Sequence, residues 1–363
     1  MKSGRQNTPR RRHAKVTISD VAGLAGVSPM TVSRVVNNET NVRDSTRRAV
    51  NAAIKKLGYS PNRAARSLAS ANQAHVGLLY TNPSTTYLSA MLLGVLEQAR
   101  QSDNQVVVAE CDVGADAVRA VRRMLRGGID GILLPPPLSD SLPVLELLTR
   151  SATPTVTIGT QRIDEGIPSV SIDNYRAAQT MTQHVISLGH TRIGFVKGSP
   201  DQLASEQRLS GFSDAMRGAG LPVPDELIVQ GRFSYKSGLD AAERLLRLPQ
   251  RPTAVFASND EMAAAAIATA HRHGIDVPRE LSVCGFDDTL LATTIWPQIT
   301  TIHQPISAMA QKALELLDNS IRCRRSGLEN ECQHLTLEYR LIQRDSVAPL
   351  AGSKRLGMVG RGS

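Results

Sequence analysis

The stretch at residues 17–38, TISDVAGLAGVSPMTVSRVVNN, constrains the fold of this chain more than any other. Thr17 is typical of a helix N-cap, and Asp20 three positions later completes a capping box. Gly26 supplies a tight turn, after which Ser28 is placed to cap a second helix. The pattern therefore predicts two short helices joined by a turn, a helix-turn-helix. The apolar face of the first helix is predicted to consist of Val21, Ala22, Leu24 and Ala25.

The second helix has an apolar face and a polar face. It begins with Pro29, which is tolerated at this position because the N–H that proline lacks would be unpaired there in any case. Val32, Val35 and Val36 recur at helical spacing and are predicted to point inward. The opposite face carries groups that contact base edges and phosphates in DNA; these residues are Met30, Thr31, Ser33, Arg34 and Asn37. An ordinary helical hairpin is the alternative, and the agreement of caps, turn and polar face favours DNA binding.

The N-terminal part of the chain is strongly basic. Residues 1–72 contain 14 Lys and Arg against 3 Asp and Glu, a net charge of +11, which leaves −2 for the remainder of a chain with +9 overall. A basic segment joined to a near-neutral body is typical of a nucleic-acid-binding module fused to another domain. Membrane binding is the alternative, but no amphipathic helix with large apolar residues accompanies the charge.

A third helix at Asn41–Leu57 is predicted to close a small helical core, and the segment Ser60–Ser70 follows it. This segment has alanines and two arginines, Arg63 and Arg66, at helical spacing. It is shorter than the roughly 12–15 residues that an isolated helix needs to persist in water. We therefore expect it to be disordered alone and helical when DNA or a partner chain stabilises it.

From His75 onward, apolar strands alternate with amphipathic helices. Near-continuous apolar strands between helices are typical of parallel sheets that are buried on both faces. Two such arrays follow one another, which predicts two doubly wound α/β lobes. In this architecture ligands bind at the carboxyl ends of the strands, so we expect a cleft between the lobes.

Several functional classes find no support in the sequence. The chain has no GxGxxG after an early strand, no GxxxxGK[ST], no HExxH and no GxSxG, so we do not expect an enzyme, a cofactor or a metal. The four cysteines show no CxxC spacing, residues 1–15 lack the apolar core of a secretory signal, and no apolar run approaches the length of a membrane helix. We therefore expect a cytoplasmic protein rather than a transport-type binding protein.

The same residues resemble the LacI/GalR family of bacterial transcription regulators. The resemblance covers residues 16–345 and includes LGHTRIGFV (Leu188–Val196), RPTAVFASND (Arg251–Asp260), ELSVCGFDDT (Glu280–Thr289) and ITTIHQP (Ile299–Pro305). It implies a fold with an all-α helix-turn-helix domain and an α/β core like that of periplasmic sugar-binding proteins. It also implies a homodimer or a tetramer of dimers that binds a palindromic operator and senses a small molecule.

The domain boundaries follow from this resemblance together with composition. We expect a basic disordered tail at 1–15, a DNA-binding domain at 16–59 and a hinge helix with linker at 60–74. A two-lobe effector-binding and dimerisation domain is expected at 75–345, and a disordered tail at 346–363. Residues after Arg344 show no heptad pattern, which favours a dimer over a tetramer.

The family's DNA-reading positions fall on identifiable residues here. Pro29 and Met30 match the positions that vary most with operator sequence, and Arg34 is assigned to a guanine edge. Leu68 matches the leucine that family members insert into the central base step from the minor groove, kinking the DNA. A leucine that merely packs in a linker is the alternative. The residues expected to contact DNA are Thr17, Ser28, Pro29, Met30, Thr31, Ser33, Arg34, Asn37, Arg66 and Leu68.

The effector site implied by the resemblance centres on Arg208 and Asp287. An arginine and an aspartate can bracket adjacent hydroxyls of a sugar through charge-assisted hydrogen bonds. The alternatives are that Asp287 caps a loop and that Trp296 is a core residue. The residues expected to contact the effector are Tyr87, Arg208, Phe233, Asn259, Asp287, Trp296 and Gln304.

The sequence thus predicts a ligand-responsive repressor of sugar-utilisation genes. Two copies are expected to bind a palindromic operator in double-stranded DNA, and a small carbohydrate is expected to release them. Three alternatives stay open: a corepressor that tightens binding, a sugar-binding module without effector-gated DNA release, and a DNA-binding protein that has lost its effector response.

Overall fold

The computed structural model describes residues 17–36, 42–57, 73–81, 84–160, 166–329 and 331–350. The chain divides into two compact units between Gln73 and Ala74. The expectations for Asn37, Arg66 and Leu68, for the segment Ser60–Ser70, for the tail at 1–15 and for residues 351–363 lie outside the described residues. The tail predicted at 346–363 was wrong in its first residues, because Ser346 is buried and its Oγ accepts from the Thr300 N–H at 2.9 Å.

The smaller unit is helical, with α1 (Ile18–Ala25), α2 (Pro29–Val36) and α3 (Asp44–Leu57). Its core consists of the buried residues Val21, Ala22, Val32, Val35, Val50 and Ala53. Leu24 does not belong to this core, because its side chain is 45% exposed. The buried stripe of α1 runs through Ile18, Val21, Ala22 and Ala25, at the spacing of one helix face, and Leu24 lies off that stripe. The predicted apolar face was therefore wrong at Leu24.

The larger unit alternates strands and helices, as predicted. Its first part contains β1 (His75–Tyr80), α4 (Thr85–Gln101), β2 (Gln105–Glu110), α5 (Ala115–Arg126), β3 (Gly131–Leu134), a 3-10 turn (Leu138–Asp140), α6 (Leu142–Arg150), β4 (Thr155–Ile158) and β5 (Ser169–Ile172). Its middle part contains α7 (Asn174–Ser187), β6 (Ile193–Lys197), α8 (Leu203–Gly218), β7 (Ile228–Gln230), α9 (Tyr235–Leu246), β8 (Ala254–Ala257), α10 (Asp260–Arg272) and β9 (Ser282–Cys284). Its last part contains α11 (Leu290–Thr294), β10 (Thr301–His303), α12 (Ile306–Ser326), β11 (His334–Leu337) and β12 (Arg340–Ile342).

Two parallel sheets define two lobes. The N-terminal lobe has the strand order β11-β5-β4-β3-β1-β2, and every pairing in it is parallel. The C-terminal lobe has the order β7-β6-β8-β9, again parallel throughout. The inner strands β3, β4 and β8 are buried at every residue, which explains their continuous apolar character. The predicted fold of a helix-turn-helix unit with two doubly wound lobes is confirmed.

The chain passes between the lobes three times. The first passage follows β5 at Asp173, the second lies between β10 and α12, and the third lies between β11 and β12. At the second and third passages β10 and β12 pair with each other in antiparallel fashion. In the part of the chain that the structure describes, no helix is long and apolar enough to cross a lipid bilayer.

Candidate functional site

The helical unit presents the predicted DNA-reading helix on a well-capped scaffold. The backbone N–H of Thr17 donates to Asp20 Oδ2 at 2.8 Å, and the N–H of Asp20 donates to Thr17 Oγ1 at 3.4 Å. These bonds form the predicted capping box. Hydrogen bonds from the N–H and the hydroxyl of Thr17 to Asp20 Oδ2 hold the pKa of Asp20 below its usual value. Gly26 adopts a φ of 66°, the left-handed conformation that glycine favours at a helix end.

The start of α2 is fixed by two hydroxyl groups. The N–H of Thr31 donates to Ser28 Oγ at 3.2 Å, and the Ser28 and Thr31 hydroxyl oxygens lie 2.9 Å apart. Met30 is 66% exposed and Arg34 is exposed, whereas Ser33 and Thr31 are partly exposed. Pro29 is also exposed, at the first position of the helix. The side chains predicted to read DNA and described by the structure therefore lie at or near the surface, opposite the buried Val32 and Val35.

A cavity lies between the two lobes of the larger unit, with about 370 Å³ of empty space that includes open solvent at its mouth. Its wall is made largely of residues that follow the carboxyl ends of strands, the position that the doubly wound architecture favours for ligands. The lining residues are Ser84, Tyr87, Pro136, Gly159, Gln202, Ala204, Arg208, Phe233, Asn259, Asp287 and Gln304. The structure thus brings six of the seven residues predicted for the effector site into one cavity.

A buried pair of opposite charges forms the polar centre of this cavity. Arg208 Nη1 lies 3.7 Å from Asp287 Oδ1, and the two side chains are 6% and 5% exposed. Arg208 Nε donates to Asn174 Oδ1 at 2.9 Å, and Gln304 Nε2 donates to Asp287 Oδ1 at 3.0 Å. The Arg208 guanidinium also lies 3.6 Å from the ring centroid of Phe286, a cation–π contact. Each charge is therefore held by several groups and not only by the other.

Burial and attraction act in opposite directions on these two groups. Burial raises the pKa of Asp287 and lowers the pKa of Arg208, because a low-dielectric surrounding disfavours charge. The attraction between the two opposes both shifts. Burial and the Asp287 charge together raise the pKa of Tyr87, so its phenol stays protonated and can donate a hydrogen bond. When both groups are ionised, the pair contributes no net charge to the wall, which suits an uncharged ligand with several hydroxyl groups.

Asn259 and Phe233 are held in place by each other. Asn259 caps α10, since its Oδ1 accepts from the N–H of Met262 at 3.0 Å, and its Nδ2 donates to the Phe233 carbonyl at 2.9 Å. Phe233 has a φ of 60° and Asp287 a φ of 107°, in the left-handed region that costs side-chain-bearing residues energy. The Phe233 ring packs so closely on Gly198 that a side chain at Gly198 would collide with it. Strained backbone at both positions is typical of a functional site.

Asp260 supports the loop that carries Asp287. Its carboxylate accepts from the Thr289 N–H at 2.7 Å, the Thr289 hydroxyl at 3.1 Å and the Thr301 hydroxyl at 2.7 Å. Burial nevertheless raises the pKa of Asp260 to about 7. Asp260, Asn174 and Phe286 were not predicted from the sequence as members of the site. The signal that could have found Asn174 and Asp260 is their position shortly after a strand, where polar side chains gather at one sheet edge.

Trp296 is placed outside the cavity, contrary to the expectation that it offers an aromatic face to the ligand. Its side chain is 77% exposed on the segment between α11 and β10. Of its neighbours, Ile295 is partly buried and Pro297 is buried. Because successive side chains of an extended segment point to opposite sides, Trp296 is directed towards solvent. The alternative that Trp296 is a core residue fails for the same reason.

A metal site is not found in the described ranges, where no group of three or more His, Cys, Asp or Glu side chains is placed to hold an ion.

Two family models match the chain. The model of bacterial regulatory proteins of the lacI family matches residues 17–62, and that of a periplasmic binding protein-like domain matches residues 182–347. The first match contains α1 to α3, and the second contains Arg208, Phe233, Asn259, Asp287 and Gln304.

Similar proteins include one curated relative and two solved structures. Catabolite control protein A of Priestia megaterium is 37% identical over 306 residues, which span 83% of this chain and 91% of that protein. A transcriptional regulator CelR–cellobiose complex has 32% identity and a TM-score of 0.69, covering 91% of this chain and 99% of that one. The Lac repressor dimer bound to operator and the anti-inducer ONPF has 26% identity and a TM-score of 0.76, covering 92% and 100%.

Proposed function

Because this chain belongs to the LacI family of bacterial regulatory proteins, we propose that it represses sugar-utilisation genes and is released from DNA by a small carbohydrate. The chain is a ligand-responsive, DNA-binding transcriptional regulator. It acts in the cytoplasm as a homodimer on a palindromic operator and catalyses no reaction. The effector enters the cavity between the lobes and changes the affinity of the helical unit for DNA.

The observation that carries the proposal is the composition of the cavity wall. Arg208 and Asp287 are buried together at 3.7 Å, and the wall adds the amides of Asn259 and Gln304. Adjacent sugar hydroxyls can donate to the carboxylate and accept from the guanidinium, which is how charge-assisted hydrogen bonds select a diol. The ring of Phe233 offers an apolar surface for the C–H face of the sugar. The cellobiose bound to the similar CelR structure supports this ligand class.

The DNA-binding half of the proposal rests on the capped helix α2. Arg34 is assigned to a guanine edge, which a guanidinium can bind through two hydrogen bonds. Pro29 has no N–H and Met30 is apolar, so the first turn of α2 offers few hydrogen bonds to bases. Specificity therefore depends also on Leu68, which is proposed to enter the minor groove at the centre of the operator. The operator bound to the similar Lac repressor dimer supports binding of an operator by two copies of the chain.

A second copy of the chain has a suitable surface to occupy. Leu93 and Leu96 on α4 are 68% and 51% exposed, and Val107 and Val108 on β2 are both 43% exposed. Among the described residues β2 is the last strand in the order of its sheet, and no strand of that part of the chain pairs with its outer edge, which is therefore suited to a partner. Exposed apolar side chains on neighbouring elements mark interaction surfaces.

Effector gating is proposed to act through the segment Ser60–Ser70. A helix of about ten residues is marginal in water, so a small change in the spacing of two such segments is sufficient to melt them. The coupling free energy needed is only about 1–3 kcal/mol. The reverse polarity, in which the effector strengthens DNA binding, requires only the opposite preference between the two states.

A thermal-shift screen tests the ligand class. The full chain is heated with cellobiose, ribose, glucose and guanine in parallel, and a sugar is expected to raise the melting temperature. Asp287→Asn is expected to abolish that shift. Arg192→Ala is the matched control, because Arg192 precedes β6 at the end of the sheet away from the cavity, where it pairs with Glu226. A shift with guanine alone would reject the sugar assignment.

The DNA-binding half is tested on an operator selected by the full chain from random duplexes. We expect a palindrome, and we expect the stabilising sugar to weaken binding to it. Stronger binding would indicate corepression, and unchanged binding would indicate a sugar-binding module without gating. Leu68→Ala is expected to weaken operator binding at least about tenfold and to leave sugar affinity unchanged. Leu142→Ala in the N-terminal lobe is the control, and an unchanged operator affinity for Leu68→Ala would exclude the wedge.

A further inference from the structure

A carboxylate of the C-terminal lobe reaches across the cleft to the first turn of α4. Glu261, in the first turn of α10, accepts with its Oε1 from the Ser84 hydroxyl at 2.9 Å. The same oxygen accepts from the Thr86 hydroxyl at 3.2 Å and from the Thr86 N–H at 3.4 Å. Glu261 is buried at 9% exposure. It therefore lies between the N-termini of two helices, one from each lobe.

A second carboxylate makes the reciprocal contact. Asp140 belongs to the N-terminal lobe, and its Oδ2 accepts from the N–H of Leu203, the first residue of α8 in the C-terminal lobe, at 3.0 Å. Gln202, the N-cap residue of α8, makes no capping hydrogen bond with its own side chain. Asp140 thus takes the place of a local cap, but from the other lobe.

Helix physics makes both contacts favourable. The first turn of a helix carries unpaired N–H groups and a partial positive charge, so an anion placed there is stabilised. Hydrogen bonds to an ionised group are stronger than neutral ones, and limited access of water to Glu261 strengthens them further. The N-termini of α4 and α10 both carry partial positive charge, and they lie on either side of Glu261. Without the carboxylate of Glu261 these two positive helix ends would repel each other.

We propose that Glu261 and Asp140 form a two-point latch that holds the two lobes closed over the cavity. The latch rests on the proposed function, because it acts on the same ligand cavity. Both latch contacts adjoin that cavity, since Ser84 and Gln202 line its wall. A ligand in the cavity is enclosed by both lobes, so its exit requires both contacts to break.

The latch also orients one group of the binding site. The Ser84 hydroxyl donates its proton to Glu261, and its oxygen accepts from the N–H of Tyr87 at 3.3 Å. The Ser84 proton is therefore directed at Glu261 and not at the cavity. Glu261 acts here as a positioning residue that fixes the orientation of this hydroxyl group.

The experiment measures lobe separation in the ligand-free full chain by double electron–electron resonance. Nitroxide labels are attached at Leu142→Cys and Tyr235→Cys, exposed positions on opposite lobes, after Cys323 and Cys332 are replaced by serine. We expect one short distance in the parent protein. The double variant Glu261→Gln with Asp140→Asn is expected to increase the population at longer distance about tenfold, and each single variant is expected to increase it less.

Glu280→Gln is the matched control, because Glu280 accepts from the Asp276 N–H at 2.9 Å within one lobe. Glu261→Ala with Asp140→Ala removes both acceptors and is expected to increase the longer population further. The amide double variant and the alanine double variant are two independent tests of the latch. Circular dichroism is used to confirm that each variant is folded. Identical distance distributions in the parent and the isosteric double variant would overturn the latch. A changed distribution in a chain whose melting temperature no sugar raises would support the latch and reject the sugar assignment.

Discussion

The helical unit and the two-lobe unit place their functional side chains in opposite ways. On α2 the proposed DNA-reading groups lie at or near the surface. The start of this helix is fixed by a hydrogen bond between two residues close in sequence, Ser28 and Thr31. In the cavity the groups are buried, and their partners are distant in sequence, as with Arg208 and Asn174. A surface group can be removed without disturbing the fold, whereas a buried charge supports the fold and the site together.

This difference means that mutations of the exposed Met30 and Arg34 separate function from stability, whereas mutations of the buried charged pair do not. A core of six buried residues stabilises the helical unit, and none of them belongs to the proposed DNA-contacting face. In the larger unit, Asp287 is at once a proposed ligand contact and part of the buried charge network. Four substitutions test this contrast, from the largest expected effect to the smallest.

Arg208→Ala is expected to lower the free energy of unfolding of the larger unit by about 3–5 kcal/mol, because it leaves Asp287 buried without its cation. Urea unfolding followed by circular dichroism measures the loss. Adding Asp287→Asn to Arg208→Ala removes the unpaired charge and is expected to restore part of the stability. An Arg208→Ala variant as stable as the parent would contradict the structural role of the pair.

Asp260→Asn is expected to change how stability depends on pH. Burial raises the pKa of Asp260 to about 7, so the folded form retains a proton that the unfolded form has released. The parent should therefore lose stability as pH rises from 5.5 to 7.5, by about 2 kcal/mol from this group. The variant should lack that loss. The comparison cancels contributions from groups that do not interact with Asp260, but not that of Asp287, whose pKa the Asp260 charge raises. Equal pH slopes for the two proteins would show that Asp260 does not titrate in this range.

Arg34→Ala is expected to weaken operator binding about tenfold, or about 1.4 kcal/mol, and to leave the unfolding of the helical unit unchanged. Arg34→Lys keeps the charge but loses the bidentate geometry, so it is expected to lose preference for guanine while retaining non-specific binding. Titration of the selected operator and of a duplex with the guanine replaced measures both. Full specificity in the lysine variant would reject the guanine assignment.

Thr17→Ala removes one member of the capping box and is expected to lower the stability of the helical unit by about 1 kcal/mol. Amide hydrogen exchange at Val21 and Val50, which are buried in its core, reports this loss in the full chain. Ser33→Ala, a partly exposed position on α2, is the control and is expected to change exchange by less than about 0.5 kcal/mol.

The sequence predicted the helical unit well because its determinants are local. The roles of Thr17, Gly26 and Ser28 depend on neighbours a few residues away, and the structure contains the contacts expected of them. The error at Leu24 arose because every apolar residue of α1 after Ile18 was assigned to the buried face of the helix. That face runs through Val21, Ala22 and Ala25 and does not include Leu24. The alternation of strands and helices likewise predicted both lobes.

The cavity could not be derived from local pattern alone. Its members were placed through the family resemblance, and the groups that hold them, such as Asn174 and Asp260, act through contacts between distant segments. Trp296 was misplaced because a motif fixes sequence position and not the direction of a side chain. The elements after Gly285, including α12, were not predicted, since that region was interpreted only as motif residues.

The strand order of the N-terminal lobe has a consequence for synthesis. β11, at His334–Leu337, pairs with β5 and completes the edge of that sheet, and α12 packs against β3, β4 and β5. During translation the sheet of the first lobe therefore stays incomplete, with one face only partly covered by α4, until nearly the whole chain has left the ribosome. The second sheet, formed by β6 to β9, has all its strands earlier. On the ribosome, the parallel sheet whose synthesis starts first is thus the last to receive all its strands.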